Sequence, residues 1–289
     1  MRLQDYEKGP ILGEGKFGRV YKVIRPSDRK TVALKVIDMS KLTTQQNNDI
    51  SKEVEVLKIL SVPKCDPFVV CYYNSYLDSD TNKYLIEMEY IEGQELKDFI
   101  TARSANKEEL YYYLLLIARD ISLGLEYVHS KGIVHNDIKP ANIMIQKDTY
   151  VPKLIDFGLN CILAKGDQYP NEYCIKPAGT PLYMAPEFYK YKWLKIPESD
   201  MWSFGVTLYT AATGKPLTNA KNIVQLQSEL LGFEYDPIPR LNTSNNLLNE
   251  IVNGLLKFKP EDRLKPREIV EMIDNNITKP QSLIDRTRI

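Results

Sequence analysis

The sequence predicts an α+β fold of two lobes, with a small β-rich N-terminal lobe and a larger, mainly α-helical C-terminal lobe. Short runs rich in Val, Ile and Tyr, separated by turn residues, fill most of the first 90 residues. After Gly93, apolar residues recur at helical spacing instead. The change of pattern falls at about residues 90–94, and the short connection there predicts a hinge with a ligand-binding cleft beneath it.

The N-terminal lobe is predicted to contain five strands and one helix. The first three strands are expected over residues 6–12, 18–24 and 31–37, because the turn-rich strings GEGKFG and RPSDRK separate them. A helix is expected next, since apolar residues recur there at spacings of four, three and three. Two more strands are predicted over residues 68–76 and 83–91. The apolar residues of the helix are Ile50, Val54, Leu57 and Leu60.

The C-terminal lobe is predicted to be built mainly from helices. One long helix has an apolar face that extends from Leu114 to Val128. A short strand is expected over residues 143–145. The predicted helices cover residues 109–130, 200–213, 223–231, 247–256 and 268–273.

Composition excludes several classes of protein. The chain has 289 residues, of which 43% are hydrophobic and 26% charged, close to the globular average, so a disordered, collagen-like or coiled-coil protein is excluded. Lys and Arg number 38 and Asp and Glu number 38, and this balance predicts no nucleic-acid partner. The longest wholly apolar run, residues 111–118, is far shorter than the ~20 residues that span a bilayer, so no membrane association is expected.

The cysteines and histidines predict neither a zinc site nor a disulfide framework. Cys65, Cys71, Cys161 and Cys174 form no CxxC pair, and the chain has only two histidines. We therefore expect free thiols in a reducing compartment. The expected location is intracellular and cytoplasmic, with the nucleus as the alternative.

A glycine pattern, Gly13-x-Gly15-x-x-Gly18, lies between the first two predicted strands. A dinucleotide-binding turn would need a helix directly after the glycines. Residues 19–24 are β-branched and strand-like instead, and Pro26 follows them. The glycines are therefore expected at the tip of a hairpin, where backbone N–H groups can approach phosphate oxygens. No GxxxxGK[ST] phosphate-binding loop occurs.

Lys35 stands in an apolar predicted strand, and a buried ammonium needs an anionic partner. Glu53, on the next predicted helix, is the candidate that would hold it against a phosphate. Glu55 is the local alternative, but it points to a different side of the helix. A lysine at a sheet edge that reaches solvent is the structural alternative.

The string HNDIKPAN places three functional groups within six residues. Asp137 can accept a hydroxyl proton, Lys139 can neutralise a phosphoryl group, and Asn142 offers a carbonyl oxygen to a hard divalent cation. Asp156, in Asp156-Phe157-Gly158, ends a predicted strand and suits a Mg²⁺ ligand. Each motif alone is compatible with an ordinary polar turn.

In order and spacing, these motifs resemble the signature of the eukaryotic-type protein kinases. The matching strings are LGEGKFGRV, VALK, KEVEVL, HNDIKPAN, DFG and GTPLYMAPE. The resemblance covers about residues 5–275. It implies the bilobal protein kinase-like fold in a single domain over residues 1–289, with the N-lobe at 1–89, the hinge at 90–93 and the C-lobe at 94–289.

The resemblance also implies an ATP site. The glycine loop would cover the triphosphate, Lys35 would bind its α- and β-phosphates, and Glu53 would hold Lys35. Other residues would surround adenine by their side chains or bond its edge by their backbone. The implied ATP-binding residues are Leu12, Gly13, Gly15, Gly18, Val20, Ala33, Lys35, Glu53, Met88, Glu89, Ile91 and Met144.

The implied reaction is transfer of the γ-phosphoryl group of ATP to Ser or Thr hydroxyls of protein substrates by a monomeric kinase. Asp137 and Lys139 would be catalytic, and Asn142 and Asp156 would bind Mg²⁺, with Mn²⁺ as an alternative metal. Lys139 and Thr180 carry the resemblance to Ser/Thr kinases rather than Tyr kinases. The implied structural anchors are Glu187, Asp200 and Arg263.

One departure from the family pattern concerns regulation. The family usually has Arg beside the catalytic Asp, and this chain has Asn136. A phosphate on the activation segment normally neutralises that Arg, so Asn136 predicts independence from such a phosphate. Residues 156–187 contain no Ser, and Thr180 is their only Thr, which leaves Tyr169 and Tyr173 as acceptors. The alternative interpretation of the whole chain is a pseudokinase scaffold that binds ATP without efficient transfer.

Overall fold

The chain folds into two units, Met1–Glu92 and Gly93–Ile289. The structure is a computed structural model, and it describes residues 2–15, 18–163 and 178–277. Each unit has its own layers of secondary structure. The strands and the one long helix predicted before residue 92 lie in the first unit, and the predicted C-terminal helices lie in the second.

The N-terminal unit is a five-stranded antiparallel sheet with the strand order β1-β2-β3-β5-β4. Short 3-10 turns at Leu3–Asp5 and Met39–Lys41 flank the strands. One helix, α1 (Thr44–Ser61), joins β3 to β4 in sequence. The strands are β1 (Glu7–Gly15), β2 (Gly18–Ile24), β3 (Thr31–Asp38), β4 (Tyr72–Asp78) and β5 (Lys83–Glu89).

One strand prediction was wrong at its start. The apolar run from Phe68 suggested a strand from residue 68, but β4 begins at Tyr72. Phe68, Val69 and Val70 are at most 6% exposed, so they are apolar because they fill the core before the strand begins. Burial rather than strand pairing explains their composition.

Helix α1 begins where its sequence satisfies the free backbone N–H groups of its first turn. The side chain of Thr43 accepts a hydrogen bond from the N–H of Gln46, and the side chain of Gln46 accepts one from the N–H of Thr43. The buried face of α1 includes Ile50, Val54 and Leu57, as the apolar spacing predicted, together with the charged Glu53.

The prediction of free thiols was wrong. Cys65 and Cys71 form a disulfide across the connection between α1 and β4, where their Cα atoms lie 5.4 Å apart. That separation is within the usual range for a disulfide, and a spacing of six residues in a loop gave no sign of it. Cys161 is disulfide-bonded as well. Cys174 lies outside the described residues.

The C-terminal unit is mainly helical, and the five predicted helices are confirmed within a few residues. Helix α5 lies at its centre, with Trp202, Phe204 and Leu208 fully buried, and it packs against α3 and α7. Two further helices, α2 and α4, were not predicted, because eight and five residues are too short to show a helical period. The helices are α2 (Leu96–Arg103), α3 (Lys107–Ser130), α4 (Pro186–Lys190), α5 (Pro197–Thr213), α6 (Ile223–Gly232), α7 (Asn246–Leu255) and α8 (Pro266–Asn276).

Two small antiparallel sheets of this unit carry its polar loops. One contains β6 (Gly93–Glu95), β8 (Ile143–Gln146) and β9 (Pro152–Leu154), and the other pairs β7 (Ile133–Val134) with β10 (Cys161–Ile162). Within the described ranges, no helix is both long and apolar enough to cross a membrane.

Candidate active site

The strand register of the N-terminal unit places the predicted phosphate- and adenine-binding residues on one face of the sheet. Residues directly opposite each other in antiparallel strands point to the same face, and so do residues two apart in one strand. Val20 pairs with Lys35, and Ala33 pairs with Met88. Gly13 lies opposite Val20, and Gly15 lies opposite Gly18. The predicted hairpin of β1 and β2 is therefore confirmed as far as this pair.

Two glycines of the hairpin, Gly13 and Gly18, differ in whether the fold leaves room for a side chain. A Cβ at Gly18 would lie 2.1 Å from the carbonyl oxygen of Val36, so the close approach of β3 requires glycine there. A Cβ at Gly13 would meet no atom within 4 Å. The fold does not need a glycine at position 13, and the space in front of its backbone is open to a ligand.

Lys35 and Glu53 form a buried ion pair. The Lys35 Nζ lies 2.5 Å from Glu53 Oε1, and the two residues are 8% and 2% exposed. The predicted pairing of strand and helix is thus present, and Glu55 is not the partner. An ammonium has three N–H donors, so Lys35 can hold Glu53 and still donate to a phosphate oxygen.

The remaining predicted ATP-binding residues are distributed over both units. Leu12 lies in β1 and is 44% exposed, and Glu89 ends β5, where its N–H donates to the carbonyl of Cys71. Ile91 follows β5 and is 7% exposed. Met144 lies in β8 of the C-terminal unit, opposite Glu95 in β6.

In the C-terminal unit, strand pairing brings two polar loops side by side. The last residue of β7, Val134, pairs with Cys161 at the start of β10, and Ile143 at the start of β8 pairs with Leu154 at the end of β9. Residues 135–142 and 155–160 therefore connect the same neighbouring strands. The N–H of Ile155 also donates to the carbonyl of Asn142. The loop of Asp137 and the loop of Asp156 are adjacent as a consequence.

Asp200 anchors the first of these loops from the start of α5. It is fully buried, and its carboxylate accepts hydrogen bonds of 2.8 Å from the backbone N–H groups of His135 and Asn136. Asn136 has a φ of 67°, a left-handed conformation that is uncommon for residues other than glycine but that Asn adopts more readily than most. The two hydrogen bonds to Asp200 hold this backbone conformation in place. The role of Asp200 is therefore to stabilise the loop that contains Asp137.

Asp137 lies at the centre of a hydrogen-bonded cluster. Its Oδ2 accepts from Lys139 Nζ at 2.7 Å and from Asn142 Nδ2 at 2.9 Å, and its Oδ1 accepts from Thr180 Oγ1 at 2.6 Å. Lys139 also donates to Thr180 Oγ1 at 2.7 Å. A carboxylate accepts about four hydrogen bonds, so Asp137 has capacity for one more donor.

The surroundings of Asp137 keep it ionised. Burial alone would raise the pKa of this carboxyl group, but hydrogen bonds from Lys139 and Thr180 and the charge of Lys139 outweigh it and lower the pKa below the ordinary aspartate value. A carboxylate that is ionised at neutral pH can orient a hydroxyl group and take up its proton.

Asn142 and Asp156 offer oxygen ligands. The Nδ2 of Asn142 is used by Asp137, to which it donates at both the carbonyl and the carboxylate, so the amide is oriented with its oxygen directed elsewhere. Asp156 is exposed and accepts one hydrogen bond, from the N–H of Gly158. Among the described residues no three His, Cys, Asp or Glu side chains form a metal cluster. The pair fits a cation that takes its other ligands from a phosphate.

Asn136 makes a contact that the sequence did not predict. Its Nδ2 donates to the carbonyl of Leu159 at 3.1 Å and so ties the loop of Asp137 to the chain that follows Asp156. The uncharged side-chain amide of Asn136 thus holds the chain after Asp156 by a direct hydrogen bond. Tyr169 and Tyr173, the tyrosines considered as phosphate acceptors, lie outside the described residues.

Glu187 and Arg263 form a buried, two-pronged ion pair in the C-terminal unit. Both guanidinium Nη atoms donate to the carboxylate at 2.7 Å, and the residues are 2% and 3% exposed. Arg263 also donates to three backbone carbonyls, and Ser199 donates to Glu187 at 2.8 Å. These bonds compensate the cost of burying both charges.

His135 is the main residue of this region to which the sequence assigned no role. It is fully buried, its Nδ1 accepts from the N–H of Asp137, and its Nε2 lies 3.0 Å from the carbonyl of Ile155. It therefore joins the two polar loops. As one of only two histidines, placed directly before Asn136 and Asp137, it could have been singled out from the sequence, but its contact with Ile155 could not.

Comparisons with known proteins agree with this geometry. The family model described as "Protein kinase domain" matches residues 6–273. The chain is 32% identical over 273 residues to calcium-dependent protein kinase 20 of Oryza sativa subsp. japonica, covering 92% of this chain and 46% of that protein. It is 31% identical over 278 residues to serine/threonine-protein kinase Nek2 of Homo sapiens, covering 93% and 59%.

The chain spans about half the length of the curated relatives it matches. The family model nevertheless covers nearly all of this chain, and the described residues include the ion pair, the two polar loops and the buried anchors that the motifs implied. The chain belongs to the protein kinase family.

Proposed function

We propose that this chain transfers the γ-phosphoryl group of ATP to Ser or Thr hydroxyls of protein substrates. The observation that carries the proposal is the cluster of Asp137, Lys139 and Thr180, in which all three side chains contact one another at 2.6–2.7 Å. Thr180 and Lys139 support Ser/Thr acceptors, and the relatives named as serine/threonine-protein kinases support the same class.

Each residue of the site has a separate role in the proposed reaction. Lys35 binds phosphate oxygens while Glu53 holds its ammonium in place. Asp137 accepts a hydrogen bond from the substrate hydroxyl and takes its proton as the hydroxyl oxygen forms a bond to the γ-phosphorus. The bond from that phosphorus to the bridging oxygen breaks, and ADP leaves with the electron pair. Lys139 neutralises negative charge on the phosphoryl group in transfer.

Asn142 and Asp156 are the residues that would hold Mg²⁺, or Mn²⁺ in its place. The cation would neutralise phosphate charge during transfer. Their oxygens are hard ligands, which suits either metal. We keep the proposal of an intracellular location because ATP is an intracellular substrate, although the Cys65–Cys71 disulfide removes the argument from free thiols.

The pseudokinase alternative finds no support in the site. A degenerate kinase usually lacks at least one of the six groups that bind phosphate, bind metal or take the proton. This chain has Lys35, Glu53, Asp137, Lys139, Asn142 and Asp156.

The test is a phosphate-transfer assay with Mg²⁺-ATP and a mixture of Ser- and Thr-containing peptides. Wild type should phosphorylate them, and Asp137→Asn should lower turnover by on the order of 10²–10⁴. Asn preserves the shape of Asp137, so ATP should still raise the melting temperature of the variant. A wild-type chain that binds ATP and transfers nothing would establish the pseudokinase alternative.

A further inference from the structure

The backbone at Asp156 has an uncommon conformation that neighbouring contacts must hold. Its φ of 62° lies in the left-handed region, which is rare for residues other than glycine, although Asp adopts it more readily than most. The exposed carboxylate of Asp156 accepts a hydrogen bond of 3.2 Å from the N–H of Gly158. A long bond that is open to solvent holds a backbone only weakly. The residues on either side of Asp156 therefore have to fix it.

The residues next to Asp156 are anchored by different contacts. On the preceding side, the N–H of Ile155 donates to the carbonyl of Asn142, and the carbonyl of Ile155 lies 3.0 Å from His135 Nε2. On the following side, the ring of Phe157 is fully buried and packs against the ring of His135 at a centroid distance of 4.6 Å. The direction of the Asp156 carboxylate then depends on the backbone that continues from Phe157.

Residues 157–160 form a tight turn that Asn160 closes with two hydrogen bonds. The N–H of Asn160 donates to the carbonyl of Phe157 at 3.3 Å, which is long for an N–H···O bond. The side-chain Nδ2 of Asn160 donates to the same carbonyl at 2.5 Å. The shorter bond comes from the side chain, so without the amide this carbonyl would keep the long backbone bond.

A second amide holds the other end of the turn. Asn136 Nδ2 donates to the carbonyl of Leu159 at 3.1 Å and ties the turn to the neighbouring polar loop. Asn160 acts instead within the turn, on the carbonyl of the residue directly after Asp156. Both amides are uncharged. The two asparagines therefore have different effects, and the effect of Asn160 is the one closest to Asp156.

We propose that Asn160 is a positioning residue for Asp156, because its amide fixes the carbonyl of Phe157 and so keeps the Asp156 carboxylate in the orientation that would bind Mg²⁺. The inference rests on the proposed function and extends it to a residue outside the matching motif strings. Without the amide, a smaller fraction of chains would hold Asp156 in that orientation. The apparent affinity for the cation would fall with that fraction, whereas a chain that has bound it would react as before.

Two substitutions that differ by one oxygen atom isolate the hydrogen bond. Asn160→Ala removes the donor, whereas Asn160→Ser supplies a hydroxyl donor for the same carbonyl. Ser104 and Ser130 each donate from Oγ to the carbonyl three residues earlier, which is the spacing between Asn160 and its acceptor. Asn276→Ala is the matched control, because Asn276 also donates from Nδ2 to a backbone carbonyl, at 2.8 Å in α8.

The first measurement is hydrogen–deuterium exchange of the full chain without ATP or metal. The backbone N–H groups of Gly158 and Asn160 both donate within the turn, so their exchange reports its opening. A peptide that spans residues 155–163 should exchange about fivefold faster at these positions in Asn160→Ala, as the loss of one hydrogen bond allows. Asn160→Ser and Asn276→Ala should exchange there as wild type does.

The second measurement is the concentration of free Mg²⁺ that gives half-maximal phosphate transfer at saturating ATP. Asn160→Ala should need about fivefold more Mg²⁺, while its kcat at saturating Mg²⁺ stays within about twofold of wild type. Asn160→Ser and Asn276→Ala should keep the wild-type requirement. If Asn160→Ala does not fold, the isosteric variants Asn160→Val and Asn160→Thr, which also differ by a hydroxyl group, replace the pair.

The outcomes separate this inference from the proposed function. Absence of any transfer by wild type would contradict the proposed function, and the exchange measurement would still decide whether Asn160 holds the turn. Unchanged exchange or an unchanged Mg²⁺ requirement in folded Asn160→Ala would overturn the positioning role alone. An equal rise of the requirement in Asn160→Ser would also overturn it, because the donor would then not be the cause. A loss of kcat that saturating Mg²⁺ does not restore would overturn it as well, since the substitution would then act on the fold rather than on the orientation of Asp156.

Discussion

Gly13 and Gly18 show how one residue type can serve a ligand at one position and the fold at another. Only Gly18 is crowded, because a Cβ there would lie 2.1 Å from the carbonyl oxygen of Val36, whereas the space at Gly13 is open. The family motif treats both glycines alike. The structure distinguishes them, because steric contact across β2 and β3 is a property of the folded sheet.

The substitution Gly13→Ala should leave stability nearly unchanged and weaken ATP binding. The added methyl group meets no protein atom, so the free energy of unfolding should change by less than about 1 kcal/mol. It would occupy space that a phosphate is proposed to use, so KM for ATP should rise severalfold. Gly18→Ala is the contrasting variant and should destabilise the fold by about 1–3 kcal/mol. Thermal unfolding and ATP titration measure both effects, and unchanged KM in Gly13→Ala would contradict the role given to Gly13.

Asn136 is a second residue whose side chain affects an expectation for the whole site, namely whether its activity depends on phosphorylation. Its amide donates to Leu159 and carries no charge that a phosphate would have to neutralise. Phosphatase-treated protein should therefore keep its activity within about twofold. Asn136→Ala should lose activity, because it removes the bond to Leu159 and leaves a strained φ of 67° without a side-chain partner. Strong activation by phosphorylation of residues 164–177 would contradict this prediction.

At the scale of elements, the pair of Glu187 and Arg263 joins the start of α4 to the segment before α8. Replacing one partner leaves the other charge buried and unpaired, which costs about 3–5 kcal/mol. Arg263→Met should lower the free energy of unfolding by that amount. Arg267→Met is the control, since Arg267 and its partner Glu271 have side chains that are 62% and 64% exposed, and an exposed pair contributes about 1 kcal/mol or less. Denaturant unfolding of the two variants gives the comparison, and equal losses would show that the buried pair is not a structural anchor.

Elements with a clear pattern could be predicted, and elements defined by packing could not. The strands of the β1–β2 hairpin and the long helices α3 and α5 followed from spacing alone. Helix α2 is too short to show a period, and residues 68–70 are apolar because they are buried rather than paired. Sequence pattern reports burial, and burial is common to strands, helices and core loops.

The candidate site also contains features that the sequence predicted and features that only the folded structure shows. The order and spacing of the motifs, and the family resemblance that they carry, predicted Asp137, Asn142 and Asp156 as site residues. The contact of Asn136 with Leu159, the link made by His135 between two loops, and the Cys65–Cys71 disulfide all join positions whose distance depends on the tertiary fold. No local pattern encodes such a distance, so these contacts could not have been derived from the chain alone.

At the scale of the whole molecule, ATP binding should raise the free energy of unfolding of the chain. A ligand at a hundredfold excess over its Kd adds about 2.7 kcal/mol to the free energy of unfolding. For a chain of this length that corresponds to a rise in melting temperature of roughly 5–10 °C. Mg²⁺ should enlarge the shift, because Asn142 and Asp156 contribute only when a cation joins them to phosphate.

Two variants separate the contributions in a thermal-shift measurement with ATP, with and without Mg²⁺. Lys35→Met should remove most of the shift in both conditions, because it deletes the ammonium that is proposed to bind phosphate. Asp156→Asn should remove only the part that depends on Mg²⁺. Lys30→Met is the control for the first variant, since Lys30 has a side chain that is 74% exposed and should leave the shift intact. An undiminished shift in Lys35→Met would show that ATP binds elsewhere, and the role of the Lys35–Glu53 pair would have to be abandoned.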